Sequence, residues 1–268
     1  MEIQRVLTVA GSDTSGGAGL QADLKTFEEY GTYGISVVTS IVTMDPANFW
    51  HHDVFPIAES IIEKELATAL ACGPFKAMKT GMLGTVETIE QVSQMLETGA
   101  IEQIVIDPVM VCKGEAEVLQ PENVSSMRQL LIPKATITTP NLFEASQLAE
   151  MKPLETVEDM KVAAAKIIAL GAKNVVIKGG KGLTSQEAID LFYDGEEFML
   201  LKSPKIEGNH NHGAGCTFAA AVTAGLANGL SAKEAVIKAK DFVYCGIEEG
   251  FALNQFIGPV WHGAYSRR

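Results

Sequence analysis

Gly213-Ala-Gly-Cys216-Thr-Phe218 puts two glycines and a cysteine at the start of a small-residue run that reads as a helix over 217–229. Glycine lets a backbone approach a ligand closely, and a helix's first turn offers unpaired N–H groups and the positive end of its dipole. Gly213, Ala214 and Gly215 could therefore form an anion hole for charge building on a transferring phosphoryl group. A turn whose glycines only permit tight packing fits the residues equally well. Cys216 lies in the same turn, where a helix N-terminus can lower a thiol from about 8.5 into the range ~3.5–7.5. Such a thiolate could take a proton from a hydroxyl; a buried apolar cysteine is the ordinary alternative. Lys178 closes the apolar run Val175-Val-Ile177 ahead of two glycines and is the best placed phosphate cation. Lys79 also ends a strand-like run, whereas Lys25 falls on the exposed face of its helix.

Other glycine patterns exclude more than they suggest. GxxxxGK[ST] is absent, so this is not a P-loop enzyme. Gly17-Ala-Gly19-Leu-Gln-Ala22 satisfies GxGxxA, but Ser12 to Ser15 separate it from the strand, and the nearest acid, Asp45, lies just beyond the next strand's end. A nicotinamide-dependent dehydrogenase is thus a weak rival. His210-Asn-His212 in a polar loop is a poor metal pair. The four cysteines form no CxxC and no regular ladder, so neither a zinc site nor a disulfide scaffold is expected.

These groups need a scaffold, and the chain has the material for one. It has 268 residues, 47% of them apolar, which excludes intrinsic disorder and allows one large α/β domain over 1–268. With 21 Lys and Arg against 33 Asp and Glu, the formal charge is −12. A surface that negative repels a phosphate backbone, so no nucleic-acid partner is expected and any anion must be held locally. The opening residues do not read as a signal peptide, and no apolar run reaches the ~20 residues of a membrane span. A soluble cytoplasmic enzyme with no membrane partner is the expectation.

Hydrophobic patterning predicts strands over 5–10, 35–42, 75–79, 104–107, 136–139 and 175–178, with a hairpin about Asp194-Gly195. Helices are expected after Gly19, over 57–71 and 86–96, through Leu148, from Thr156, and over 217–229 and 231–249. Thr156 and Asp159 form a capping pair. The alternation implies an α/β fold with a parallel sheet covered by helices on both faces, and ligands in such folds sit outside the strands' carboxyl ends. Asp13, Lys79, Asp107, Asn141 and Lys178 all fall at or just past such ends.

Together the motifs resemble the ribokinase-like vitamin kinases. Those that carry the resemblance are Gly11-Ser-Asp13-x-Ser-Gly-Gly-Ala-Gly-x-Gln-Ala-Asp-Leu-Lys25, Lys79-Thr-Gly-Met82, Asp107-Pro-Val-Met110, Thr139-Pro-Asn-Leu-x-Glu144-Ala, Lys178-Gly-Gly and His212-Gly-Ala-Gly-Cys216-Thr. They run in order along essentially the whole chain. The most similar branches are the hydroxymethylpyrimidine/phosphomethylpyrimidine kinases and the pyridoxine/pyridoxal kinases. The resemblance implies a three-layer sandwich with a mostly parallel central sheet and a small lid, and transfer of phosphate from ATP to an alcohol with Mg²⁺. It implies substrate contacts at Asp13, Ala18, Gly19, Met44, Met82, Val109 and Cys216. ATP would lie near Asn141, Glu144, Lys178 and the Gly213, Ala214 and Gly215 backbone, its adenine between the last helices and the hairpin. Asp107 and Glu144 would act through the metal and its waters, and a homodimer is expected by analogy. Most of the superfamily has aspartate as base where this chain has Cys216, so activity should follow a thiol's ionisation.

Residue 44 bears on which vitamin is used. Hydroxymethylpyrimidine kinases of the family usually carry glutamine there, whose amide can pair with the aminopyrimidine edge. Met44 cannot, and leaving that edge unpaired costs about 1–3 kcal/mol per group. Pyridoxal has no such edge and suits a soft apolar wall. Thr43-Met-Asp-Pro46, Trp50-His-His-Asp-Val-Phe-Pro56 and Val111-Cys112-Lys-Gly-Glu115 also resemble the pyridoxal kinase branch. His52 could cap the substrate from an edge strand or lie in a solvated loop. The segment after Asp107 would form the lid and bring Cys112 toward Cys216. Cys216 could then add reversibly to the pyridoxal aldehyde while Cys112 moves the proton, or Cys112 only packs. The expectation is ATP-dependent phosphorylation of the 5′-hydroxymethyl of a B6 vitamer. Its rivals are the aminopyrimidine kinase reaction of thiamine synthesis and a sensor that binds without turnover.

Overall fold

The structure, a computed structural model, describes residues 3–110 and 121–268. Its strands are β1 (Arg5–Asp13), β2 (Tyr33–Asp45), β3 (His51–Pro56), β4 (Phe75–Thr80), β5 (Ile101–Ile106), β6 (Ile137–Thr138), β7 (Val175–Lys178), β8 (Glu187–Tyr193) and β9 (Phe198–Pro204). They form one sheet in the order β3-β2-β1-β4-β5-β6-β7-β8-β9. The middle six strands are parallel, and an antiparallel partner closes each end, β3 on β2 and the β8–β9 hairpin on β7. The helices are α1 (Gly19–Glu29), α2 (Glu59–Ala71), α3 (Val86–Glu97), α4 (Pro121–Ser126), α5 (Leu142–Leu148), α6 (Val157–Ala169), α7 (Ala214–Ala227) and α8 (Ala232–Glu248).

The period-2 alternation of β1 sets the layers. Leu7 and Val9 join the large core under α2 to α6, while Val6 turns to the opposite face with Phe27 of α1 and Ala220 of α7. Beyond it, Val105, Ile137 and Val176 pack against α7 and α8. Alanines at 219, 220, 221 and 224 let α7 lie buried between the sheet and its neighbours, as a helix apolar on all sides requires. The three layers and the mostly parallel sheet expected from the sequence are present. The lid expected over Val111–Glu115, with Cys112, lies outside the described residues.

Two elements depart from the sequence reading. β2 runs on to Asp45 rather than stopping at Val42, because β3 pairs with it: Val42 opposes Val54 and Met44 opposes His52. The mixed composition of His51–Pro56 hid that strand, as an edge strand open to water on one side carries little apolar signal. α7 begins three residues earlier than expected, so Gly215 and Cys216 are helical. No helix among the described residues is long and apolar enough to cross a membrane.

Candidate active site

β1 delivers Asp13 to a loop that folds around its carboxylate. Oδ1 accepts the Ser15 amide at 2.8 Å, and Oδ2 accepts the Ala18 amide at 2.8 Å and the Ser15 hydroxyl at 3.0 Å. His212 Nε2 stands 2.7 Å from the same Oδ2. Burial raises the Asp13 pKa, but the His212 and Ser15 bonds outweigh it and hold the carboxyl below its ordinary value. Asp13 thus ties the 13–19 loop to the residue just before Gly213.

The two glycines of the second loop divide the roles that the sequence left open. Gly213 has φ +80°, and a Cβ there would overlap the Gly17 carbonyl, so it serves tight packing. Gly215 is different: the nearest atom a Cβ would meet is the Lys178 ammonium, at an ordinary contact distance of 3.4 Å, so its backbone runs directly beside that cation. The Ala214 and Thr217 amides bond to the Asn211 and Gly213 carbonyls. Among the described residues, the Gly215 and Cys216 amides have no carbonyl acceptor. Two N–H donors, a helix dipole and Lys178 therefore converge on one point.

Cys216 does not have the ionisation expected of a helix N-terminus. It is partly open to the cavity yet surrounded by protein, and burial pushes its thiol up to about 11. Lys79 and the Gly19 amide pull the other way, while Asp23 and Asp107 add to the rise. The lowering expected from the sequence is overturned because α7 starts inside the molecule rather than at its surface. At neutral pH the free protein holds a thiol.

On the other side, Lys178 Nζ donates to Asp107 Oδ1 at 2.9 Å, and the Thr139 hydroxyl donates to the same oxygen at 2.8 Å. Burial opposes the Lys178 charge, but Asp107 and Glu144 outweigh it and raise its pKa. Asn141 and Glu144 cap α5 reciprocally, each side chain accepting the other's amide at 2.8 Å. The Asn141 side-chain carbonyl is committed to that cap, so its NH₂ is the group that can face a phosphate. Burial pushes Glu144 up to about 7, with Lys178 opposing and Asp107 adding to the rise. Two carboxylates beside a lysine, with no group of three candidate ligands among the described residues, do not make an all-protein cage. They do suit Mg²⁺, which uses one or two carboxylates and completes its shell with water and substrate phosphates.

α7 is anchored from behind by His262, whose Nε2 lies 3.0 Å from the Thr217 hydroxyl. Burial, aided by the charge of Lys25, lowers the His262 pKa from an ordinary 6.5 to about 4. A depressed folded-state value means stability present above pH 6.5 and lost as pH falls toward 4. The loss should reach about 3 kcal/mol. His262→Gln should flatten that acid limb when Tm is followed from pH 7 to 4.

Asp13, Asp107, Glu144, Lys178, His212 and the Gly213–Cys216 turn line one cavity of about 470 Å³ along the carboxyl ends of the strands. One end is walled by Asp13, Ala18, Gly19, Met44, His52, Met82 and Val109. Asp107, Asn141, Glu144, Lys178 and the Gly213–Cys216 turn occupy the middle. The far end, between the β8–β9 hairpin and α8, is lined by Ala188, Pro204, Ile206, Val243 and Tyr244. His52 belongs to the edge strand rather than a solvated loop, its ring 6.5 Å from that of His212. Of the site residues expected from the sequence, Cys112 alone lies outside the described residues. Lys25 is exposed and donates to the Gly16 carbonyl at 2.6 Å. His210 packs against Gly250 and Gly258, away from any metal set. Asp23 was missed: it is fully buried and binds Lys79 with both oxygens, at 3.0 and 2.8 Å. The signal available was its position four residues after Gly19, one helical turn along the same face.

A family model described as phosphomethylpyrimidine kinase matches residues 13–261. The pyridoxine kinase of Bacillus subtilis is 53% identical over 98% of this chain and 97% of its own. The hydroxymethylpyrimidine/phosphomethylpyrimidine kinase of the same organism is 38% identical over 100% and 97%. The pyridoxal kinase from Staphylococcus aureus, solved in complex with AMP-PCP and pyridoxal, superposes with a TM-score of 0.95 at 52% identity, covering 100% of this chain and 96% of that one.

Proposed function

The chain belongs to the phosphomethylpyrimidine kinase family, as an enzyme of its pyridoxine/pyridoxal kinase branch, and on that premise we propose a reaction. The γ-phosphoryl of ATP passes to the 5′-hydroxymethyl of a B6 vitamer, and Cys216 accepts the hydroxyl proton. One observation carries this reading: a continuous cavity joins an apolar pocket at Met44 to a second pocket at the β8–β9 hairpin and α8, and the α7 N-terminus stands at the junction. A relative that binds pyridoxal and an ATP analogue together supports the same division of space.

The chain's own groups do three things. Met44, on the buried side of β2 opposite His52, gives the vitamin ring a soft wall with no amide to pair with. The Gly215 and Cys216 amides and Lys178 face the point where negative charge spreads over the transferring group, and they are already oriented before reaction. Cys216 Sγ, once ionised, takes the proton from the attacking hydroxyl. Asp107 and Glu144 would hold Mg²⁺, which would neutralise the charge of the phosphates. Residence in the cytoplasm and a homodimer are part of the same proposal, by likeness to the family.

A coupled ADP-release assay with pyridoxal, pyridoxine and hydroxymethylpyrimidine side by side tests the reading. The B6 vitamers should have the larger kcat/KM. Met44→Gln should move the ratio toward the aminopyrimidine by about 10- to 100-fold, since one or two pairing groups at 1–3 kcal/mol each are at stake. A wild-type enzyme that prefers the aminopyrimidine would overturn the assignment, and an unmoved ratio in Met44→Gln would remove residue 44 as its determinant.

A further inference from the structure

Beneath the site lies a buried ionic group that the transfer as described does not use. Thr8 and Lys79 are register partners on the parallel strands β1 and β4, so their side chains point the same way, toward α1 and α7. Asp23 comes down from α1 to meet both, accepting the Thr8 hydroxyl at 2.6 Å and the Lys79 ammonium at 2.8 Å. All three residues are fully buried. A lysine taken wholly out of water is costly to keep charged, and replacing such a pair by apolar residues often leaves a protein as stable or more so. Stability alone therefore does not explain it.

Its position does. Gly19 opens α1, and its amide works against the rise that burial causes in the Cys216 thiol. One turn further along the same face, Asp23 holds Lys79. The Lys79 ammonium also reaches the wall of the cavity, where a Cβ on Gly81 would come within 3.3 Å of it. We propose that Lys79 is a positioning residue for the phosphotransfer: fixed by Asp23 and Thr8 under the α7 N-terminus, its ammonium is the cation against which Cys216 gives up its proton. This rests on the reading of Cys216 as proton acceptor. The charged groups facing Cys216 are Lys79 from β4, Asp23 from α1, Asp107 after β5 and Lys178 from β7. Burial opposes the Lys79 charge, and Asp23, Cys216 and Asp107 outweigh it and raise its pKa. Of the charges that act on the Cys216 thiol, that of Lys79 has the largest effect.

The test uses the full-length enzyme without substrate. Iodoacetamide alkylation of Cys216 is followed by peptide mass spectrometry between pH 7 and 10. The double variant Asp23→Asn with Lys79→Met removes both charges at nearly constant volume. It should alkylate about tenfold more slowly than wild type at each pH, as expected for an ionisation moved up by about one unit. Asp23→Asn alone takes away the carboxylate that fixes Lys79 and keeps it charged, so it should also alkylate more slowly than wild type. kcat for pyridoxal should follow the double variant down at neutral pH while KM for ATP stays within about twofold. Equal alkylation rates in wild type and double variant overturn the proposal, as does an Asp23→Asn variant that alkylates as wild type does. If Asp23→Asn does not fold, the double variant decides alone. Alkylation needs no turnover, so this failure is distinct from retained activity in Cys216→Ala, which removes the base instead.

Discussion

Cys216→Ala should lower kcat for pyridoxal by about 10²- to 10⁴-fold, the usual range for removing a positioned proton acceptor. The fold should survive, because the residue sits in the first turn of α7 and the packing of the loop depends on Gly213, Asp13 and His212 instead. Circular dichroism and Tm near the wild-type value would verify this. The pH profile makes the prediction sharper. The thiol stands at about 11 in the free protein, and a raised value means that the competent thiolate grows as pH rises. kcat/KM should therefore climb from neutrality with no plateau below about pH 10. Cys216→Asp replaces the thiol with a group already ionised at neutral pH, so its profile should be flat there. Full activity in Cys216→Ala, or an unchanged alkaline limb in Cys216→Asp, would remove Cys216 from the chemistry.

Lys178→Met should lower kcat by about 10²- to 10³-fold, comparable to losing one preorganised donor aimed at developing charge. KM for ATP should rise as well, since the ammonium faces the nucleotide before reaction begins. The substitution has a second effect that can be separated from the first. Lys178 partners Asp107 and holds Glu144 below the value that burial alone would give, so methionine leaves two buried carboxyls uncompensated. Breaking a buried pair in this way costs about 3–5 kcal/mol, so Tm should fall, more steeply above neutral pH, where Glu144 is charged. Lys178→Arg should not rescue the rate. The ammonium is a compact charge paired with Asp107 beside the Gly215 backbone, and the longer planar guanidinium would carry its charge away from that place. Wild-type turnover in Lys178→Met would show that the α7 amides suffice.

How the site came to be legible differs from residue to residue. Gly213, Gly215, Cys216, Lys178 and Asp107 announce themselves because their types carry the chemistry and each follows a strand or opens a helix, positions that periodicity marks well. The same periodicity yields the parallel strands and most helices, since burial on both faces writes continuous apolar runs into the chain. β3 escaped because an edge strand leaves no such mark. Cys216 was placed correctly and its ionisation was not, because the helix turn that suggests a lowered value is a local pattern while the burial that raises it is supplied by α1, β4 and β5.

What the sequence by itself determined is the inventory of reacting groups and the order of elements that carries them to one edge of a sheet. Only the tertiary structure decided which glycine packs against a carbonyl and which lies beside Lys178, and that Asp13 ties two loops together. It alone joined Asp23 to Lys79 across 56 positions. The reason is physical: residue type and local spacing fix hydrogen-bonding capacity and periodicity, whereas charge state and close approach depend on neighbours that arrive from distant parts of the chain.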